Sequence, residues 1–134
     1  MYKLLIILLI SFTLGGCDTF HMSRVDFNEN MNPTKESLID SLERFSDKKG
    51  WSCVDEFGQN GSEYICGHAW YLRLQLLKDD NRYYFQTMNA HPAWCDGAHN
   101  CKFLREIDNH LFHDFGADSY IFTDLDAQCT LNKP

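Results

Sequence analysis

The sequence predicts an α+β domain: an antiparallel sheet of two hairpins plus a C-terminal strand, with two helices packed on one face. Three features point there. Two short apolar runs flank a turn-rich stretch ending in Gln59-Asn60-Gly61, and two longer alternating runs flank Asp79-Asp80-Asn81. Amphipathic helical patterns bracket these hairpins at either end. Each such element has one apolar side to bury, and hairpins bracketed by helices bury it as a sheet covered by helices.

Residues 19–31 show no clean period and read as a tether or arm. Asn32-Pro33 then opens a helix, because a polar cap satisfies orphan donors and a first-turn proline gives up a donor that had no partner. Leu38, Ile39, Leu42 and Phe45 recur at helical spacing, which places the first helix over residues 34–48. Lys48 and Lys49 suit its negative end, and Gly50 can terminate it. Residues 51–55 and 63–66 read as strands around a turn rich in Gly and Asn. Folded about Gln59 and Asn60, that hairpin sets Cys53 near Cys66, close enough for a cross-strand bridge. Gly67-His68 breaks the run. Residues 71–78 alternate, with Leu72, Leu74 and Leu76 on one side and Arg73 and Gln75 on the other. Residues 82–89 return, with Tyr83, Phe85 and Thr87 opposite in sense to Tyr84, Gln86 and Met88. Residues 90–100 read as a loop, 102–115 as a second helix with a broad apolar stripe, and 119–123 as a last strand. A polar tail with Cys129 ends the chain.

Ahead of this domain stands a short leader. Lys3 precedes an apolar run over residues 4–14, within the roughly 7–15 residues of an export signal and short of the about 20 a spanning helix needs. Two small residues then precede a cysteine in Leu14-Gly15-Gly16-Cys17. This resembles the lipobox of bacterial lipoproteins, and the resemblance covers the leader alone. It implies a diacylglycerol thioether on Cys17, cleavage between Gly16 and Cys17, and acylation of the new amino terminus. The implied organisation is a signal peptide over 1–16, the lipidated cysteine and tether over 17–32, and one α+β domain over 33–134. Several acyl chains, at about 0.8 kcal/mol per buried methylene, make such anchoring stable. Asp18 resembles an inner-membrane retention signal, which implies the periplasmic side of that membrane; the outer membrane is the alternative. No cofactor is expected beyond the covalent lipid.

Composition narrows the partners. Twelve Lys and Arg stand against nineteen Asp and Glu, a formal charge of −7, and the leader removes only Lys3 from that balance. Nucleic acid, which is held through Lys and Arg contacts to phosphate, is not expected. The expected partners are the membrane, through the anchor, and an envelope protein.

With Cys17 lipidated, five cysteines remain in a compartment where disulfides persist, enough for two bridges and one left over. The candidates are Cys53 with Cys66 and Cys95 with Cys101, though sequence does not fix connectivity. The same loop offers another chemistry. His91, Cys95, His99 and Cys101 fall close together and could serve a metal-binding or thiol-redox protein. Their spacing lacks the paired pattern of structural zinc sites, so a small bridged loop is the preferred reading. His110 and His113 lie three apart on the second helix and could act together. No phosphate loop, nucleophile elbow or metalloprotease helix occurs, and the reading leans away from an enzyme. The favoured function is a protein- or peptide-binding module held near the membrane. Its expected surface is one sheet face carrying Arg73, Gln75, Tyr84, Gln86 and Met88.

Overall fold

Alternating burial sets the strands of this domain. In a computed structural model of the chain, residues 21–55, 62–68, 72–89 and 97–124 are described. Among them are strands β1 (His21–Phe27), β2 (Ser52–Asp55), β3 (Ser62–His68), β4 (Leu72–Asp79), β5 (Arg82–Asn89) and β6 (Tyr120–Asp124). They form one sheet in the order β2-β3-β4-β5-β1-β6, antiparallel throughout. Helix α1 (Lys35–Lys49) follows β1, and helix α2 (Gly97–Phe115) precedes β6. The α+β class and the antiparallel sheet are as expected.

The domain begins earlier than the sequence suggested. The presumed tether over 17–32 contains β1, which lies inside the sheet between β5 and β6. Its inward residues are His21, Ser23, Val25 and Phe27, all buried. Two of these four are polar, so the alternation carries no apolar signature. Ser23 hydroxyl instead bonds the Thr87 hydroxyl of β5, and both residues are essentially unexposed. A satisfied hydroxyl pair fills a core position as well as an apolar one.

Val25, Phe27, Tyr64, Cys66, Leu74, Leu76, Phe85 and Tyr120 from the strands share one core cluster with residues of both helices. α1 contributes Leu38, Leu42 and Phe45, and α2 contributes Phe103, Leu104, Ile107 and Leu111. Edge-on aromatic contacts tie the layers, with Phe27 against Phe85 at 5.5 Å and against Phe115 at 5.1 Å between ring centroids. α1 is capped by Thr34, two residues beyond Asn32, whose side chain accepts from the Ser37 amide. Gly50 closes it at φ 68°, a left-handed conformation that glycine adopts without strain. Gly67 does not break a strand: it lies within β3, where an added Cβ would collide with the Leu72 carbonyl of β4. Residues 97–101 belong to α2, so the helix starts earlier than expected.

Candidate functional site

The second face of the sheet, turned away from the core cluster, receives the alternate residues of every strand. Register brings the expected surface together. Arg73 pairs with Met88, and Gln75 with Gln86, across β4 and β5. β1, missed in the sequence, adds Met22 opposite Met88, Arg24 opposite Gln86, and Asp26 opposite Tyr84. One row thus crosses the whole sheet: Val54, Ile65, Gln75, Gln86, Arg24, Thr123.

Accessibility divides this face. Gln75 is buried, as are its neighbours Ile65 and Leu77, so Gln75 is not the open surface residue the sequence implied. Arg73, Tyr84, Gln86, Met88, Met22 and Arg24 are half-buried, and the reachable part of the face runs along β5 and β1. The Arg24 guanidinium lies 3.7 Å from the Tyr84 ring centroid and forks onto Asp26, at 2.9 and 2.8 Å from Nε. That bond to Asp26 raises the Arg24 pKa against the opposing effect of burial. A cation fixed over an aromatic face gives a flat, preorganised patch. A cleft of about 470 Å³ opens beside it at the β4–β5 turn, lined by Arg24, Asp26, Asp79, Asp80, Arg82 and Tyr84 among others.

A second cluster of functional side chains lies between the helices. Ser41 of α1 donates to Asp114 Oδ2 at 2.6 Å, His110 Nε2 lies 3.1 Å from Ser41 Oγ and 2.8 Å from the Ser41 carbonyl, and Arg44 reaches Asp114 at 2.8 Å. Serine, histidine and aspartate together suggest a nucleophilic triad, but the geometry forbids one. A carbonyl oxygen only accepts, so Nε2 must carry the ring proton and cannot take one from Ser41. Asp114 approaches the same nitrogen, at 3.1 Å, instead of orienting the other. Ser41 is also fully buried. The cluster is a polar lock between α1 and α2.

Its charges are set by burial and bonding. Burial pushes the Asp114 carboxyl up, but donors from Ser41 and Arg44 and the nearby His110 overcome it and hold the group at about 2. Burial lowers His110 and outweighs its bond to the Ser41 carbonyl and the attraction of Asp114, with Lys48 and Arg44 adding to the lowering. His113 also reaches Asp114, its Nδ1 lying 3.4 Å from Oδ1, so one carboxylate contacts both histidines. The His113 side chain is 87% exposed while that of His110 is 7% exposed.

The cysteines fall in two groups. Cys53 and Cys66 stand directly opposite in the β2–β3 ladder and are disulfide-bonded. Cys101 is also disulfide-bonded, and in that state it offers no thiolate to a metal. Its partner lies outside the described residues, as do Cys17, His91, Cys95 and the side chain of His99, so the loop chemistry expected there is not described. Among the described residues no three His, Cys, Asp or Glu side chains are grouped to hold a metal, and no helix is long and apolar enough to cross a membrane. No known family matches the chain, and neither does any curated protein.

Proposed function

We propose that this chain is a lipid-anchored protein of a bacterial cell envelope, and that its domain holds a protein or peptide partner across the second face of the sheet. The anchor reading rests on Leu14-Gly15-Gly16-Cys17 and the short apolar leader before it. The observation that carries the binding reading is the register that gathers Arg73, Tyr84, Gln86 and Met88 from β4 and β5 with Met22 and Arg24 from β1. Tyr, Met and Arg are the residue types enriched in protein interfaces, and a mixed polar and apolar patch suits a partner that comes and goes.

A photocrosslinking residue in place of Met88, in intact cells, tests the binding site. It should capture a defined partner, and Tyr84→Glu with Arg73→Glu should abolish capture while circular dichroism and the melting temperature stay unchanged. Undiminished capture in the folded double variant sinks the reading. Cys17→Ser tests the anchor separately: lipid labelling should vanish and the protein should leave the membrane fraction.

A further inference from the structure

The two ends of the sheet are fastened in different ways, and among the described residues β2 is held by a short ladder to β3, one partly buried side chain and a covalent bond. Ser52, Val54 and Asp55 are exposed, Val54 at 56%. Cys53 is the one β2 side chain packed against the core cluster, and it is only partly buried. Four residue pairs join β2 to β3. The neighbouring strand β3 is secured independently, because Tyr64 and Cys66 lie in the core and the Tyr64 hydroxyl bonds Glu43 of α1. We propose that the Cys53–Cys66 disulfide is a reversible latch: a dithiol reductant opens it, β2 leaves the sheet, and the backbone edge of β3 is uncovered.

The sulfurs differ in a way that gives the step a direction. Cys66 is 0% exposed, whereas Cys53 is only partly buried. A thiolate of the dithiol attacks Cys53 Sγ, and the Cys66 sulfur leaves and takes a proton to become a thiol. The reductant's second thiolate then attacks its own sulfur in the mixed disulfide, forming the reductant's disulfide and releasing Cys53 as the thiolate, which is protonated in turn. Two electrons and two protons pass from the dithiol to the cystine. The neutral thiol is the form that apolar surroundings favour, and a buried Cys66 thiol packs as a small hydrophobe. The core therefore survives the chemistry. Trp51, just before β2, stays docked by its contacts with Phe45 at 5.6 Å and Phe103 at 5.7 Å and serves as the pivot. An unpaired strand edge exposes amides that exchange with solvent and can pair with another chain.

Amide hydrogen exchange on the full chain tests this, comparing the oxidised protein, the protein treated with dithiothreitol without denaturant, and Cys53→Ser/Cys66→Ala. The double variant isolates this bond from the one at Cys101. Exchange in residues 52–55 and in β3 should rise about ten-fold or more in both reduced forms, with β1 and β5 unchanged. Reoxidation of the treated protein should restore protection. Unchanged exchange in 52–55 would mean that packing holds β2 and would overturn the latch. Acceleration spread equally over β1 and β5 would overturn it too, since the bond would then support the whole fold. Resistance of the bond to dithiothreitol in the native protein would also end the proposal.

Discussion

The two edge strands, β2 and β6, are nearly equal in length and solve the same problem with different chemistry. β6 is held by side chains. Tyr120 is buried, packs near Phe27, and donates to both the carboxylate and the backbone carbonyl of Asp108 on α2, each at 2.9 Å. Burial and the bond to Asp108 raise the phenol's pKa well above its ordinary value. Among the described residues β2 has no buried aromatic of this kind; its inward residue is Cys53, disulfide-bonded to Cys66. Packing cannot be switched by a reagent, and a disulfide can. An edge that must stay closed is best held the first way, and an edge that must open, the second.

The largest break in this comparison should come from Tyr120→Ala. Losing a buried aromatic costs about 3–4 kcal/mol, and urea unfolding should show it as a global loss that loosens β6 and α2 together. Tyr120→Phe keeps the ring and removes only the hydroxyl, so about 1–2 kcal/mol is expected in the same assay, from a buried carboxylate left with one donor fewer. Cys53→Ser/Cys66→Ala should cost less, no more than about 1 kcal/mol by the urea midpoint, because breaking the bond frees β2 in the folded state as well as in the unfolded one. Its local signature should stay at β2 and β3.

The α1–α2 lock should sharpen the contrast by making the α2 side acid-sensitive. His110 titrates below its ordinary 6.5 in the folded state, so its contribution is full above that pH and declines as pH falls through the lowered value. Asp114, held at about 2 against an ordinary 3.8, contributes fully above 3.8 and is lost only as pH approaches 2. Melting temperature should therefore start to fall just below neutrality, and His110→Asn should flatten that first phase without removing the second. The smallest effects belong to the exposed edge positions. Val54→Lys and Ile121→Lys, at 56% and 51% exposure, should each change stability by no more than about 0.5 kcal/mol. A large cost at Val54 would show that β2 is packed after all.

Much of the fold was legible in the chain. β4 and β5 announced themselves because Leu72, Leu74 and Leu76 alternate with Arg73 and Gln75, and because Phe85 sits in phase with them. The hairpin signal around Gln59 and Asn60 placed Cys53 opposite Cys66, which is where the ladder puts them. β1 was hidden since its core-facing side carries His21 and Ser23, and only pairing with Thr87 explains why a serine belongs there. With β1 went Met22 and Arg24, a third of the candidate surface. Reading Ser23, Val25 and Phe27 against Met22, Arg24 and Asp26 as a period of two would have found them. Serine and histidine mask a period that is counted in apolar residues.

Local choices can be read straight from the chain: where α1 stops at Gly50, which side of β4 and β5 is apolar, and which tetrapeptide resembles a lipid-attachment site. Those depend on backbone conformation and on periodicity within a few residues. Tertiary structure alone decided that β1 enters the middle of the sheet, that Ser41, His110 and Asp114 lock two helices with no nucleophile among them, and that Gln75 is buried. Each of these depends on partners far away in the chain, as Ser23 does on Thr87 and Ser41 on His110, and pairings of that kind leave no mark on the local pattern.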